Sequence, residues 1–195
     1  GMLNTTNIDL ARRQYRFFIP TAFMQGATTE WTNGPATQFS AGIGQPGLYT
    51  GIRVPAFMRL PGTVFSMGGQ TAPAPNWEFG IQMVGASGVT PNSNPYLKSP
   101  ELSTTGALAS AAWTTPEARL QANLIGVDSN LFGTHSGGWV DGWLRGELVD
   151  HNAGVFRLEP GLIWANQQIV TDLQGAYYRA NYQTRQWLWD GGVDY

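Results

Sequence analysis

The sequence predicts an all-β protein, an antiparallel up-and-down meander of roughly ten strands that is barrel-like in form. Two observations predict this fold. Apolar and polar residues alternate with a period of two over successive segments of about 8–11 residues, as side chains do along a strand. Clusters of Gly, Pro, Asn and Asp separate these segments, and short turns make neighbouring strands antiparallel. The alternative fold is a soluble β-sandwich or jelly roll, because alternation does not say what covers the apolar face.

Taken in order, the chain begins with a polar stretch, residues 2–13, which we expect to form a loose N-terminal arm. Strands are then predicted where apolar runs or alternation continue between turn residues, over 14–19, 21–25, 37–44, 49–60, 64–70, 77–85, 107–114 and 118–126. Turns rich in Asn, Gly, Pro or Thr are predicted at 32–35, 45–47, 61–62 and 115–117. Two longer segments, 88–105 and 128–137, are predicted to be irregular loops.

The stretch 138–195 carries the clearest alternation. It predicts a strand over 138–148, a turn at 150–152, a returning strand over 153–158 and a stop at 159–161, where Pro and Gly end the pattern. A final hairpin is predicted from the strands 176–183 and 187–195. Aromatic residues occupy alternate positions in both of its strands, whereas on a helix they would scatter around the axis.

Composition limits the classes of function. Charged residues are 12% of the chain, which is about half the usual globular share, and the net charge is −2. A basic footprint for nucleic acid is therefore absent, and without Cys there is no disulfide framework or thiolate metal site. The 25 Gly and 8 Trp suit a β-protein with large apolar or carbohydrate-facing surfaces. Its 195 residues predict one all-β domain over 2–195, or a piece of a larger barrel.

The last strand resembles the C-terminal strand of bacterial outer-membrane β-barrel proteins. Those strands have apolar residues at alternate positions and end in an aromatic residue, and Trp187, Trp189, Val193 and Tyr195 follow this arrangement. Asp190 departs from it, because a Gly is expected at that position. The resemblance implies a membrane-embedded meander with one apolar and one polar face per strand. It holds at the level of the class, and no specific family is indicated.

The candidate binding residues are Trp139, Asp141, Trp143 and Arg145, which share one face of the strand 138–148. Sugar rings stack on Trp while polar neighbours bond the hydroxyls, so this face is a candidate glycan platform. The competing interpretation, and the favoured one, is that both Trp side chains are core residues or interfacial anchors. No catalytic or metal-binding residues are predicted: His135 and Ser136 are not part of a G-x-S-x-G elbow, a triad also needs an orienting carboxylate in the right geometry, and the two His residues have no ligand spacing.

These observations predict a non-enzymatic protein without cofactors. The leading hypothesis is an outer-membrane or cell-envelope β-barrel-type protein, bacterial in origin, that serves surface structure or the passage of polar solutes. Its expected partners are membrane lipid or envelope components, and an edge strand offers a site for self-association. The alternative is a secreted or periplasmic carbohydrate-binding β-sandwich whose partner is a glycan.

Overall fold

The structure is a computed structural model that describes residues 2–4, 8–12, 17, 19–34, 37–50, 56–90, 100–169, 171–184 and 186–195. Most of these residues lie in strands, so the predicted all-β class is confirmed. The only helix among them is α1 (Asp9–Arg12). Their strands are β1 (Met2–Asn4), β2 (Phe23–Asn33), β3 (Thr37–Thr50), β4 (Ala56–Arg59), β5 (Thr63–Ala74), β6 (Trp77–Val89), β7 (Leu102–Thr114), β8 (Ala118–Ser129), β9 (Gly133–Arg145), β10 (Val149–Leu158), β11 (Ile163–Trp164), β12 (Gln167–Gln168), β13 (Leu173–Gln183) and β14 (Leu188–Asp194).

One antiparallel sheet contains twelve of these strands. Its order is β1-β2-β3-β5-β6-β7-β8-β9-β10-β13-β14, with β4 paired beside β3, while β11 and β12 form a separate hairpin. The long strands follow one another in chain order, so the predicted meander is confirmed. In the described part of the chain, β1 pairs only with β2 and β14 only with β13, so the sheet is not closed into a barrel. The barrel-like form is therefore not shown, and the open sheet is consistent with the alternative fold, a soluble β-sandwich or jelly roll.

The register divides the side chains of the sheet into two faces. One face, which we call the uncovered face, carries large apolar side chains that are exposed. Paired positions such as Ile43 with Phe65, and Ala109 with Leu124, continue this face from strand to strand. Leu124 is 69% exposed and Ile43 55%. Alternation is therefore present as predicted, but the large apolar side chains it places here are not in the core.

The opposite face, the covered face, has two zones. We call the strand ends joined at 75–76, 115–117 and 146–148 the turn end, and the opposite ends the loop end. Toward the loop end the covered face is apolar, with Val64, Val84, Leu102, Ile125 and Leu158 buried in one core. Toward the turn end its buried side chains are polar, and they include Gln82, Ser110, Gln121, Asn123 and Asp141.

Two segments of the chain pack on the covered face. One is the hairpin of β11 and β12, whose Trp164 is completely buried. The other, which we call the N-terminal segment, consists of residues 8–12, 17 and 19–22. Its Ile8 lies over Gly80, where a Cβ would be 3.0 Å from the Ile8 Cδ1 atom, so the absent side chain leaves the room that Ile8 occupies. The Phe17 ring lies 5.6 Å from Trp139 and contacts β9.

The N-terminal segment differs from the loose arm that the sequence predicts over 2–13. Residues Met2–Asn4 pair with β2, and Leu10 is completely buried. The Leu10 N–H donates to Gln70 Oε1 at 3.0 Å, and the Leu10 carbonyl accepts from Gln121 Nε2 at 3.2 Å. Buried backbone groups need partners, and these two side-chain amides supply them. The backbone of the segment therefore bonds to polar side chains of the sheet, while its apolar side chains are buried.

Several boundaries also differ from the predicted ones. The strand β9 begins at Gly133, so the predicted loop 128–137 reduces to a turn, and Gly133 has the positive φ of 80° that this turn needs. The predicted turn at 45–47 lies inside β3, where the Pro46 carbonyl accepts from the Leu60 N–H at 2.8 Å. The predicted turn at 150–152 is part of β10. Of the predicted loop 88–105, residues 91–99 lie outside the described residues, and β7 already begins at Leu102.

Replacing Gln121 with Ala is expected to weaken the docking of the N-terminal segment. The substitution removes the hydrogen bond from Gln121 Nε2 to the Leu10 carbonyl, and a bond of this kind contributes about 0.5–1.5 kcal/mol. We expect a lower free energy of unfolding and faster hydrogen exchange at Leu10 and Ala11. Exposed Gln174 provides the matched control, and Gln174→Ala is expected to change neither quantity. Equal exchange rates in both variants would contradict the docking role of Gln121.

Candidate functional site

The strand β9 places the four candidate residues on the covered face. Trp139 is paired with Phe156, and Trp143 with Asn152, on the neighbouring strand β10. The four side chains thus share one face, as their alternate spacing predicts. Their exposure rises steadily along β9: Trp139 and Asp141 are buried, Trp143 is half-buried and Arg145 is exposed.

The first two candidates are enclosed by other parts of the chain. Phe17 packs against Trp139 and also lies 5.1 Å from Phe156, in an edge-to-face arrangement. The Tyr177 hydroxyl donates a hydrogen bond of 2.5 Å to Asp141 Oδ1. Trp139 therefore packs against the N-terminal segment, and Asp141 is hydrogen-bonded to a side chain of β13. Neither side chain is open to a ligand. For Trp139, this placement corresponds to the core interpretation of the sequence.

The other two candidates remain accessible at the turn end. The Arg145 guanidinium carbon lies 4.9 Å above the centroid of the Trp143 ring, which is a cation–π contact. This contact holds the guanidinium over the ring, and its N–H donors have no other partner among the described residues. The pair is therefore an ordered hydrogen-bond donor surface beside an aromatic ring.

Strand pairing brings three further residues to this site that the sequence alone did not indicate: Arg119, Asn152 and Arg179. The register places Arg119 beside Trp143, Trp143 beside Asn152, and Asn152 beside Arg179, in one row across four strands. We call this set the arginine row. Arg119 lies 24 positions from Trp143 along the chain, Asn152 nine and Arg179 36. Only strand pairing therefore brings them into one row with Trp143. Alternation predicts which face each residue takes, but it does not predict the register.

The His135 and Ser136 pair does not have the geometry of a nucleophile and its base. The Ser136 N–H and hydroxyl donate to Glu159 Oε2 at 2.8 and 3.1 Å, and the His135 Nε2 atom lies 2.7 Å from the Phe132 carbonyl oxygen. Ser136 is thus bonded to a carboxylate rather than to an imidazole. The hydrogen bonds from the Ser136 N–H and hydroxyl lower the pKa of Glu159 below its ordinary value, with smaller contributions from His135 and Arg157.

A shallow groove crosses the uncovered face. Its volume is about 610 Å³, and small residues on its floor lie between larger apolar side chains at its rim. The floor includes Gly69, Ala109, Ala111 and Ala122, and the rim includes Phe39, Phe79, Ile81 and Leu124. The lining presents mainly hydrocarbon to the exterior, so the groove offers little to a polar ligand.

Comparison of the sequence with protein-family models and curated proteins, and of the structure with solved structures, found no match. Within the described residues, no helix is long and apolar enough to cross a membrane. The same residues contain no group of three or more His, Asp or Glu side chains placed to hold a metal ion. The assignment of function therefore rests on the chemistry of the two faces of the sheet.

Replacing Tyr177 with Phe is expected to destabilise the protein. The buried Asp141 loses the hydroxyl that donates to it, and loss of a donor to a buried acceptor costs about 1–3 kcal/mol. Urea-induced unfolding measures this loss. Half-buried Tyr182 on the same strand provides the control, and Tyr182→Phe is expected to leave the unfolding midpoint nearly unchanged. If the two variants unfold at the same urea concentration, the Tyr177–Asp141 bond does not stabilise the sheet.

The substitution Glu159→Gln is expected to have a pH-dependent effect. The pKa of Glu159 is lowered in the folded state, so its charged form stabilises the fold above its unfolded value of about 4.5, and this contribution is lost as the pH falls through the folded-state pKa. We therefore expect Glu159→Gln to lower the melting temperature at pH 7, and the difference from wild type to disappear in acid. A difference that persists unchanged below the folded-state pKa would contradict this.

Proposed function

We propose that this chain is an outer-membrane or cell-envelope β-barrel-type protein, or a part of one, whose uncovered face contacts lipid and whose covered face borders a polar compartment. The observation that carries the proposal is the exposed apolar surface of the uncovered face, opposite a covered face that buries polar side chains beside its apolar core. Exposed aliphatic and aromatic side chains dominate the uncovered face, whereas Gln82, Asn123 and Asp141 are buried on the covered face. A protein in water usually has the opposite arrangement, while a membrane sheet has apolar residues outside and polar residues inside.

The positions of charged residues support a lipid contact. From β5 to β10, the register puts only three ionisable residues on the uncovered face, namely Asp128, His151 and Arg157. Asp128 and Arg157 lie next to the last residue of β8 and β10, and His151 is the third residue of β10. The His151 Nδ1 atom is also hydrogen-bonded to the Tyr178 hydroxyl at 2.7 Å. The middle of this face is free of charge, as the hydrocarbon layer requires.

The aromatic residues and the strand lengths agree with the same setting. Large rings gather on the uncovered face near the turn end, where Trp31, Phe39, Trp77, Phe79, Trp113, Tyr182 and Trp189 lie. Trp and Tyr prefer the boundary between lipid and water, so this edge is suited to one membrane interface. The strands β5 to β9 have 12 or 13 residues each, enough to cross a bilayer with the usual tilt, which takes about 9–11 residues.

An open sheet in lipid would leave unpaired N–H and C=O groups at its edges, which costs several kcal/mol for each group. The proposal therefore requires that the edges at β1 and β14 pair with further strands. Those strands belong to a second copy of this chain or to additional polypeptide, and the complete wall then surrounds the polar compartment. Surface structure and the passage of polar solutes are the roles that such a wall serves.

The proposal is tested by vesicle flotation of the purified chain with Leu124→Arg. Leu124 lies in the charge-free middle of the uncovered face, where an Arg costs about 2–4 kcal/mol in a bilayer, so we expect membrane partition to fall by about 30-fold or more. Leu148→Arg is the matched control, because Leu148 is equally apolar and exposed but lies in a turn. It is expected to float like wild type. A wild-type chain that is monomeric in plain buffer and does not float would refute the proposal.

A further inference from the structure

The arginine row, together with Arg145, has properties that the proposed lipid contact does not use. We propose that it binds a hydroxylated carboxylate, of which an acidic sugar is the chemical class that fits the row best. The row lies on the covered face, so this site does not depend on what contacts the uncovered face. It also differs from the sequence-derived platform, because it excludes the buried Trp139 and Asp141 and adds Arg119, Asn152 and Arg179.

The first argument is that a buried hydrogen-bond acceptor, the side-chain oxygen of Asn152, has no donor among the described residues. Asn152 is only 6% exposed, and its Oδ1 atom is buried without a hydrogen-bond partner among the described residues. Leaving such an atom unsatisfied costs about 1–3 kcal/mol, and native structures rarely tolerate it without a reason. The register puts Asn152 between Trp143 and Arg179. A ligand hydroxyl that reaches Asn152 between half-buried Trp143 and exposed Arg179 can donate to Oδ1 and satisfy it.

The second argument is that two arginine side chains near Asn152, those of Arg179 and Arg145, have no anionic partner among the described residues. In the part of the chain that the structure describes, no hydrogen bond or ion pair engages the Arg179 guanidinium, and that of Arg145 contacts only the Trp143 ring. Asp141 is engaged by Tyr177, and Asp150, although paired with Arg145 in the register, forms no ion pair with it. Two guanidinium groups therefore keep their donors for an anion. Guanidinium binds carboxylate through two parallel hydrogen bonds, which gives both strength and orientation.

The third argument is the separation of these groups. Directly opposed side chains on neighbouring strands begin about 5 Å apart, so Trp143, Asn152 and Arg179 span about 10 Å at their Cβ atoms. A single pyranose ring with a carboxylate fits within that span. Its hydroxyls reach Asn152, and its carboxylate reaches Arg179 or the Arg145 held by the Trp143 ring. A lone carboxylate would leave Asn152 unsatisfied, and a neutral sugar would leave both cations unpaired.

The test uses titration calorimetry of the purified full chain with three probes: glucuronate, glucose and cyclohexanecarboxylate. Glucose lacks the carboxylate, and cyclohexanecarboxylate has the ring and the carboxylate but no hydroxyls. We expect saturable binding of glucuronate, and at least about tenfold weaker binding of the other two, because each leaves part of the row unpaired. No saturable binding of glucuronate, or equal binding of all three, would overturn the proposal.

Substitutions locate the site. Arg179→Gln and Asn152→Ala are each expected to weaken glucuronate binding by about tenfold or more, in line with the loss of a bond to a charged or buried group. Arg157→Gln is the control, because Arg157 is an exposed arginine on the opposite face of the sheet, and it is expected to change the affinity less than twofold. Arg145→Gln removes an exposed side chain, so it tests the row even where Asn152→Ala fails to fold. Equal losses in Arg157→Gln and Arg179→Gln would show non-specific attraction and overturn the assignment.

The outcome of the glucuronate titration can be distinguished from the outcome of the vesicle flotation that tests the lipid contact. A chain that floats with vesicles and does not bind glucuronate retains its lipid contact and loses the sugar site. A chain that binds glucuronate in plain buffer without floating keeps the sugar site and loses the lipid contact. Leu124→Arg leaves the arginine row intact, so it is expected to bind glucuronate as wild type does.

Discussion

The alternation of side chains across an extended backbone is the constraint on which this structure depends. Each strand gives half of its residues to each face, so a sheet built from it must find surroundings for two chemically different surfaces. In this chain the covered face, polar toward the turn end and apolar toward the loop end, meets the N-terminal segment and the hairpin of β11 and β12. The apolar half, with Ile81 and Leu124 near its middle, meets no other part of the described chain. The proposed lipid contact would supply the surroundings for this half.

The covered face makes apolar contacts at one end and hydrogen bonds at the other, and the N-terminal segment takes part in both. At the loop end, apolar side chains bury Trp164 and form a core. At the turn end, amides and hydroxyls form a network in which Gln121 Nε2 and the Ser110 hydroxyl both donate to Asn123 Oδ1. The N-terminal segment spans the boundary, because its Ile8 packs on glycine while its Leu10 backbone bonds to glutamine. Segment and sheet are therefore matched in both polarity and shape.

Sequence reasoning predicted the features that period-two alternation controls and missed those that register controls. The all-β class, the meander and the shared face of Trp139, Asp141, Trp143 and Arg145 follow from alternation. The neighbours Arg119, Asn152 and Arg179 do not, because their approach depends on which residues pair across three strand boundaries. The docked N-terminal segment was missed for a related reason. Its partners Gln70 and Gln121 lie 60 and 111 positions away along the chain.

That last separation has a consequence for the order of assembly. The bond between Leu10 and Gln121 closes a loop of more than a hundred residues, and the entropy of such closure is lost before the contact contributes anything. Hairpins between successive strands close much shorter loops and form first. The N-terminal segment therefore docks late, after β5 to β8 have paired. Until then, water solvates the amide side chains of Gln70 and Gln121, and the N-terminal segment remains undocked.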